Sequence, residues 1–181
     1  RGRKGLGNDM TSPDRAGEKK DKLLFTPGPL TTSSTVKEAM LRDLGSRDTA
    51  FIAAIETIRN SLLGLAGLSR EKGYECALMQ GSGTFGVESV IGSAVPAGGK
   101  LLVVINGAYG ERMLKIADVL GIECEALRCS ENTKTDPDAV ARRLDADGSI
   151  TTVAIVHCET TTGIINPVEE TGALVRERGK T

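Results

Sequence analysis

A glycine-rich turn between two apolar segments constrains the fold of this chain more than any other feature. Residues 77–79 have the composition of the end of a buried strand, and apolar residues recur at helical spacing after the turn. The sequence therefore predicts a strand, a tight turn at residues 81–84 and a helix that begins near Thr84. The start of such a helix offers free N–H groups and the positive end of the helix dipole, and both suit a phosphate group.

Glycine-rich turns of this kind bind several classes of phosphate ligand, and the neighbouring residues distinguish between them. Residues 81–86 match the dinucleotide-binding pattern Gly-x-Gly-x-x-Gly, which requires an acidic residue at the end of the next strand. That strand is instead followed by Asn106 and Gly107. A P-loop is excluded because no Lys-Ser or Lys-Thr pair closes the turn. A smaller cofactor with one phosphate fits better, and a glycine-rich turn without any ligand stays an open alternative.

Downstream of the turn, predicted strands and helices alternate strictly. Strands are predicted at residues 100–105, 122–127 and 152–157, and helices at residues 109–120, 137–146 and 167–178. Asp136 or Thr135 caps the second of these helices, with Pro137 at its first position. This alternation predicts an α/β fold, a mostly parallel sheet with helices on both faces. Ligands of such sheets bind at the carboxyl ends of the strands.

The first third of the chain has a different composition. Residues 1–22 are rich in glycine, charged and small polar residues, which predicts a disordered tail or linker before a domain at residues 23–181. Residues 26–29, Thr-Pro-Gly-Pro, predict a stiff extended turn. Ser33 or Ser34 is expected to cap a short helix, and residues 51–67 have the spacing of a long amphipathic helix.

Charge and cysteine content narrow the function class. The net charge of −1 favours neither a nucleic-acid partner nor an acidic membrane surface, and no apolar run is long enough to span a membrane. The cysteines form no C-x-x-C pair; Cys76, Cys124 and Cys158 are expected to be buried free thiols, which fits a reducing, cytoplasmic location. His157 and Cys158 are consecutive on a predicted strand and face opposite ways, so no metal site is expected there.

Polar and aromatic residues follow two further strand ends at the predicted ligand edge. Tyr109 is placed to stack on a planar ligand, although a core tyrosine has the same pattern. If the chain stays extended after Glu159, Thr160 and Thr162 face one side and donate hydrogen bonds; a polar turn is the alternative. A phosphate site, a stacking ring and hydroxyl donors together suit pyridoxal 5'-phosphate. The cofactor's lysine has no clear candidate: Lys100, Lys115 and Lys134 are predicted at a strand start, in mid-helix and in a loop.

Four motifs, in order, resemble the class V aminotransferases. They lie at residues 23–32, 80–85, 106–110 and 157–163, and the resemblance covers about residues 22–181. It implies a pyridoxal-phosphate transferase of fold type I that works as a homodimer on a small-molecule amino donor. Thr31, Thr32 and the triple threonine favour the phosphonate branch, whose members move the amino group of 2-aminoethylphosphonate to pyruvate and yield phosphonoacetaldehyde and alanine. A serine or alanine–glyoxylate aminotransferase is the alternative within the class.

The resemblance also implies roles for particular residues. The cofactor phosphate is assigned to Ser82, Gly83 and Thr84, and the pyridine ring to Tyr109. Thr160 or Thr162 is expected to hydrogen-bond near the ring oxygen. The substrate entrance is assigned to Thr26, Pro27, Gly28 and Pro29.

The catalytic lysine of the class has no counterpart in this chain, nor do the aspartate of the ring nitrogen and the arginine of the substrate carboxylate. By the resemblance all three follow residue 181, so the chain is interpreted as an N-terminal fragment of a truncated large domain. The fragment alone is expected to be inactive because it lacks the lysine. A non-catalytic fragment and half of a dinucleotide-binding oxidoreductase are the remaining alternatives.

Overall fold

The structure is a computed structural model that describes residues 22–26 and 28–181. The chain divides into two compact units, one that ends at Ile52 and one that comprises Ala53–Thr181. Apart from Lys22, the predicted tail at residues 1–22 lies outside the described residues. None of the described helices is long and apolar enough to cross a membrane.

The first unit contains a short capped helix, α1, at Ser34–Ala39. The hydroxyl oxygen of Ser33 accepts a hydrogen bond from the backbone N–H of Val36 at 3.4 Å, which confirms one of the two predicted caps. Before this helix, the Thr26 hydroxyl donates to the carbonyl of Pro29 at 2.5 Å, a local bond across the predicted turn.

The second unit holds the alternating part of the chain. Its elements are α2 (Thr49–Leu65, which begins in the first unit), a 3₁₀ turn (Arg70–Lys72), α3 (Gly83–Ala94), β1 (Lys100–Ile105), α4 (Ala108–Val119), β2 (Glu123–Arg128), α5 (Pro137–Ala146), β3 (Ile150–Ile155), β4 (Cys158–Glu159), β5 (Ile164–Ile165) and α6 (Val168–Glu177). The strands and helices predicted after the glycine-rich turn are thus confirmed with small shifts at their ends, and Asp136 caps α5.

The main sheet has the order β2-β1-β3, and both pairings are parallel. Alternate residues of the central strand β1 pack against different helices, because successive side chains of a strand point to opposite faces. Leu101, Val103 and Ile105 join a core with side chains of α3 and α4, whereas Leu102 and Val104 join a core with side chains of α5 and α6. The predicted parallel sheet with helices on both faces is therefore confirmed.

The strand predicted at residues 77–79 is wrong for this chain. These residues form no regular structure, and Met79 is 57 % exposed. A strand forms only where a neighbour satisfies its backbone N–H and C=O groups, and no described strand lies beside this segment to pair with it. The apolar composition that suggested a strand gives no information about its partner.

The cysteines are free, but none of the three that were predicted to be buried is fully buried: Cys76 and Cys124 are half-buried, and Cys158 is exposed. Cys124 lies in β2, where burial raises the pKa of its thiol. Cys76 lies outside any strand, and Cys158 is exposed. Cys158 belongs to a two-stranded hairpin with β5, and such a hairpin does not bury both of its faces.

Thr181 extends the hydrogen-bonding pattern of the sheet beyond β3. Its backbone N–H donates to the carbonyl of Thr151 at 3.1 Å, and its carbonyl accepts from the N–H of Val153 at 2.8 Å. This is the bonding pattern of a parallel strand. The sheet therefore carries one further residue at the edge of β3.

A group of charged side chains joins the amino ends of the strands. Lys100 Nζ lies 2.8 Å from Asp147 Oδ2 and 3.1 Å from Glu125 Oε2, and Glu125 also pairs with Arg143. The hydrogen bond from Lys100, with further bonds from Ser149, lowers the pKa of the Asp147 carboxyl well below its usual range. The bonds to Asp147 and Glu125 raise the pKa of Lys100.

This ion pair predicts a pH-dependent stability. The pKa of Asp147 is lower in the folded state, so its contribution is full above the ordinary value of 3.8 and is lost as the pH falls below it. The pKa of Lys100 is raised, so its contribution is full below the ordinary value of 10.5 and is lost only as the pH rises above it. We expect Asp147→Asn to lower the melting temperature at neutral pH, and the difference from the unmodified chain to shrink below about pH 4.

Asp118→Asn is the matched control, since Asp118 makes no ion pair among the described residues. A melting-temperature difference for Asp147→Asn that stays constant from neutral pH to below about pH 3 would contradict this account of the pair.

Candidate functional site

A cavity of about 400 Å³ opens at the edge of the sheet where β3 ends. Its lining comes from the first turns of α3 and α4 and from the last part of β3, with Gly83, Thr84, Val87, Tyr109, Arg112, Met113, Ile155 and Val156. The sequence predicted that the glycine-rich turn and the ends of the strands would share one edge. The structure confirms this for the turn, for Tyr109 and for the end of β3.

The start of α3 presents unpaired backbone donors. Ser82 is the N-cap, and its hydroxyl oxygen accepts from the N–H of Phe85 at 3.3 Å. The first N–H groups of a helix have no acceptor within it, so those of Gly83 and Thr84 remain for a ligand. A Cβ atom at Gly83 would meet no atom within 4 Å, so the space beside this residue is open. Together with the helix dipole, this geometry suits an anion.

Gly81 shapes the turn that leads into α3. Its φ angle of 156° lies in a region that other residues rarely adopt. A Cβ atom there would also lie 2.5 Å from Cδ1 of Phe85. The turn therefore needs glycine at this position for both its backbone and its packing.

Arg112 connects Tyr109 to Thr84. Its guanidinium carbon lies 4.9 Å from the centroid of the Tyr109 ring, and its Nη1 donates to Thr84 Oγ1 at 3.2 Å. Sequence reasoning did not select Arg112. The available signal was its spacing, because residues three apart on a helix lie on the same face.

A buried carboxylate holds the start of α4. Glu159 is fully buried; its Oε2 accepts from the N–H of Tyr109 at 3.3 Å, and its Oε1 accepts from the Thr161 hydroxyl at 2.9 Å. A negative group at the N-terminus of a helix is favoured by the helix dipole. Gly107 makes the approach possible, since a Cβ atom there would lie 2.3 Å from Cγ of Glu159. Sequence reasoning gave neither residue this role.

Two buried asparagines join the loops at the same edge. Asn106 and Asn166 exchange two side-chain hydrogen bonds, of 2.9 and 3.0 Å. Asn166 also donates to the carbonyl of Val156 at 2.8 Å and accepts from the N–H of Thr135 at 3.2 Å. Asn106, which takes the place of the acid in the dinucleotide pattern, is 2 % exposed. Its side chain is therefore occupied by the protein itself.

The extended segment assumed for Thr160 and Thr162 is not formed. Residues 160–163 make a turn between the antiparallel strands β4 and β5, so the alternation that put both threonines on one side does not apply. The Thr162 hydroxyl donates to the carbonyl of Glu159 at 3.4 Å within this turn. The polar turn, which was the alternative, is confirmed.

The predicted site residues are thus only partly brought together. Gly83, Thr84 and Tyr109 line one cavity, and Ser82 caps the helix beside it. The entrance residues Thr26, Gly28 and Pro29 lie in the first unit, and Pro27 lies outside the described residues. Their role at a substrate entrance stays a prediction.

Comparison with known proteins identifies similar sequences. The family model described as aminotransferase class-V matches residues 19–181. The chain is 49 % identical over 158 residues to a 2-aminoethylphosphonate–pyruvate transaminase of Syntrophobacter fumaroxidans, a match that covers 87 % of this chain and 42 % of the relative. It is also 49 % identical over 160 residues to the transaminase of the same name from Salmonella typhimurium. This match covers 88 % of this chain and 43 % of the relative.

Solved structures give the same fold. Pyridoxamine–pyruvate aminotransferase from Mesorhizobium loti has a TM-score of 0.76 at 27 % identity, and the match covers 86 % of this chain and 39 % of that one. Alanine–glyoxylate aminotransferase from Nostoc sp. has a TM-score of 0.77 at 26 % identity, and the match covers 97 % of this chain and 46 % of that one. The chain therefore spans less than half the length of these relatives.

Proposed function

Because the chain belongs to the class V aminotransferase family, we propose that it forms the phosphate-binding side of an enzyme that moves the amino group of 2-aminoethylphosphonate to pyruvate. The observation that carries the proposal is the cavity in which the open start of α3 meets Tyr109. The amino donor and acceptor are proposed from the relatives that share 49 % identity with this chain. The products are phosphonoacetaldehyde and alanine.

The cavity fits pyridoxal 5'-phosphate. Two backbone N–H groups, of Gly83 and Thr84, and the positive end of α3 suit one phosphate group. The Tyr109 ring at the same cavity suits a planar ring. When bound, the cofactor supplies an electron sink for the transfer of the amino group. A dinucleotide fits less well, because β1 is followed by Asn106 in place of an acid, and the Asn106 amide is bonded to Asn166.

The residues around the cavity have separate roles in this proposal. Ser82 caps α3 and fixes the direction of its first N–H groups, which bind the phosphate together with the Thr84 hydroxyl. Glu159 holds the backbone of Tyr109, so the ring is presented at a fixed position. Thr160 remains the candidate donor to the ring oxygen, because its hydroxyl has no partner among the described residues, whereas the Thr162 hydroxyl is bonded within the turn.

Two further properties are proposed for the whole protein. A cytoplasmic location is supported by the free thiols, which persist in a reducing compartment. A homodimer is supported by apolar side chains that α2 leaves exposed, among them Ile58 and Leu65. Light scattering of the full-length protein tests the second property: a mass of two chains is expected, and a monomer at micromolar concentration would contradict it.

A product assay on the full-length protein tests the activity. With 2-aminoethylphosphonate and pyruvate we expect alanine and phosphonoacetaldehyde in equal amounts. Turnover of serine, or of alanine with glyoxylate, in place of 2-aminoethylphosphonate would support the alternative within the family. Residues 1–181 alone are expected to give no turnover, because the side chains that line the cavity include no lysine to act as nucleophile and base.

A further inference from the structure

Arg112 is the one charged side chain that lines the described cavity. Several other arginines of the second unit pair with carboxylates, as Arg128 does with Glu111 and Arg178 with Asp145. Within the described residues, Arg112 contacts instead the Thr84 hydroxyl and the Tyr109 ring. An arginine that has no carboxylate partner and lies beside the open start of a helix is suited to work with an anionic ligand.

The hydrogen bond between Arg112 and Thr84 has only one possible direction. A guanidinium group donates and cannot accept, so Thr84 Oγ1 is the acceptor at 3.2 Å. The hydroxyl proton of Thr84 is then free to be donated elsewhere. No acceptor for that proton exists among the described residues, and Thr84 lines the cavity. Arg112 therefore leaves the Thr84 hydroxyl as a donor to whatever occupies the cavity.

The same guanidinium group fixes the Tyr109 ring. It lies over the ring at 4.9 Å from the centroid, within the range of a cation–π interaction. The planar group can stack on a ring and donate sideways at the same time, whereas a lysine ammonium has no such plane. The orientations of Tyr109 and of the Thr84 hydroxyl are thus linked through one side chain.

We propose that Arg112 is a positioning residue that couples the ring-stacking side chain, Tyr109, to the phosphate donor Thr84. Its planar shape carries this role in addition to its charge. The inference rests on the proposed function, because it assigns one ligand with a phosphate and a ring to both side chains. The inference goes beyond the proposed function by adding Arg112, which acts on the ligand only through Tyr109 and Thr84.

Binding measurements on the 181-residue chain test the proposal. The chain has two tyrosines and no tryptophan, so in a Tyr74→Phe background the intrinsic emission reports on Tyr109 alone. Affinities for inorganic phosphate and for pyridoxal phosphate are measured by calorimetry, and quenching of the Tyr109 emission is followed for pyridoxal phosphate. We expect Arg112→Gln to weaken the binding of both ligands about 10-fold, since the charge-assisted hydrogen bond that orients the Thr84 hydroxyl is lost.

Two matched variants separate shape from charge. Arg112→Lys keeps the charge but not the plane, and we expect its affinities to stay within about threefold of those of Arg112→Gln. Arg128→Gln loses the same charge at a residue that pairs with Glu111, and we expect no change beyond about twofold. Full recovery of both affinities in Arg112→Lys would overturn the positioning role.

A double-mutant cycle tests the coupling to Thr84. If Arg112 acts through the Thr84 hydroxyl, Arg112→Gln added to Thr84→Val should change phosphate affinity by no more than about twofold. Losses that multiply in the double variant would contradict the coupling.

A measurement without ligand separates this inference from the proposed function. We expect the emission anisotropy of Tyr109 to fall in Arg112→Gln, because the ring loses its stacking partner, while circular dichroism stays unchanged. Equal anisotropy in both chains would overturn the inference. Failure of the unmodified full-length protein to bind pyridoxal phosphate would instead contradict the proposed function, and the anisotropy result would still decide the role of Arg112.

Discussion

Replacement of Gly107 by alanine is expected to destabilise the protein by about 2–4 kcal/mol, through overpacking and the loss of hydrogen bonds to a buried carboxylate. The new Cβ atom would lie 2.3 Å from Cγ and 2.4 Å from the carboxyl carbon of Glu159. Glu159 is fully buried and bonded to Tyr109 and Thr161, so a shift of its side chain away from the new atom would weaken these hydrogen bonds. Urea denaturation monitored by circular dichroism gives the change in the free energy of unfolding.

Two controls make this result specific. Gly148→Ala places its Cβ atom in open space, and we expect a change within about 1 kcal/mol. In a Glu159→Ala background the clash is removed, so Gly107→Ala should cost less than about 1 kcal/mol there. Equal costs of Gly107→Ala in both backgrounds would show that contact with Glu159 is not the cause.

Asn166→Asp is expected to cost about 3 kcal/mol at neutral pH, although the two side chains have nearly the same shape. The amide nitrogen of Asn166 donates to Asn106 Oδ1 and to the carbonyl of Val156, at 3.0 and 2.8 Å. In Asn166→Asp a carboxylate oxygen replaces this nitrogen and faces both of these acceptor oxygens. It also adds a buried charge, since Asn166 is 2 % exposed. The measurement is again the free energy of unfolding in urea.

The pH dependence of this variant checks the cause. Burial raises the pKa of a carboxyl group, and the protonated form recovers one donor, so the cost should decrease as the pH falls towards 4 or so. Asn132→Asp is the control, because Asn132 is exposed in the neighbouring loop, and we expect a change within about 0.5 kcal/mol. A cost of Asn166→Asp below about 1 kcal/mol at neutral pH would contradict the structural role of the amide pair.

The local part of the fold was predictable from the sequence. The strand of residues 100–105 contains a continuous apolar run at residues 101–105, and the start of α5 has both a capping aspartate and a proline at its first position. Such signals depend only on neighbouring residues, so they predict the same strand or helix start irrespective of the tertiary contacts of the chain. The order of these elements then determines which strand ends and helix starts share the ligand edge.

Contacts between distant residues were not predictable in the same way. The bond between Glu159 and Tyr109 joins residues 50 positions apart, and the pair of Asn106 and Asn166 joins residues 60 positions apart. Their side chains have no periodicity that would indicate a partner. The same reason explains the wrong strand at residues 77–79, because pairing depends on a neighbour and not on composition.

Threonines 160 and 162 show how a local assumption changes a predicted site. Alternation along a strand would put both hydroxyls on one side, but the chain turns after Glu159 and Gly163 has a φ angle of 75°. Arg112 shows the opposite case: its distance of three residues from Tyr109 was visible in the sequence, but its contact with Thr84 depends on how α3 and α4 pack.

A crystal structure of the full-length protein with pyridoxal phosphate tests the central claim most directly. We expect phosphate oxygens within about 2.7–3.2 Å of the backbone nitrogens of Gly83 and Thr84, and the pyridine ring stacked on Tyr109. A phosphate bound away from the start of α3, or a ring that does not contact Tyr109, would contradict the assignment of this cavity as the cofactor site.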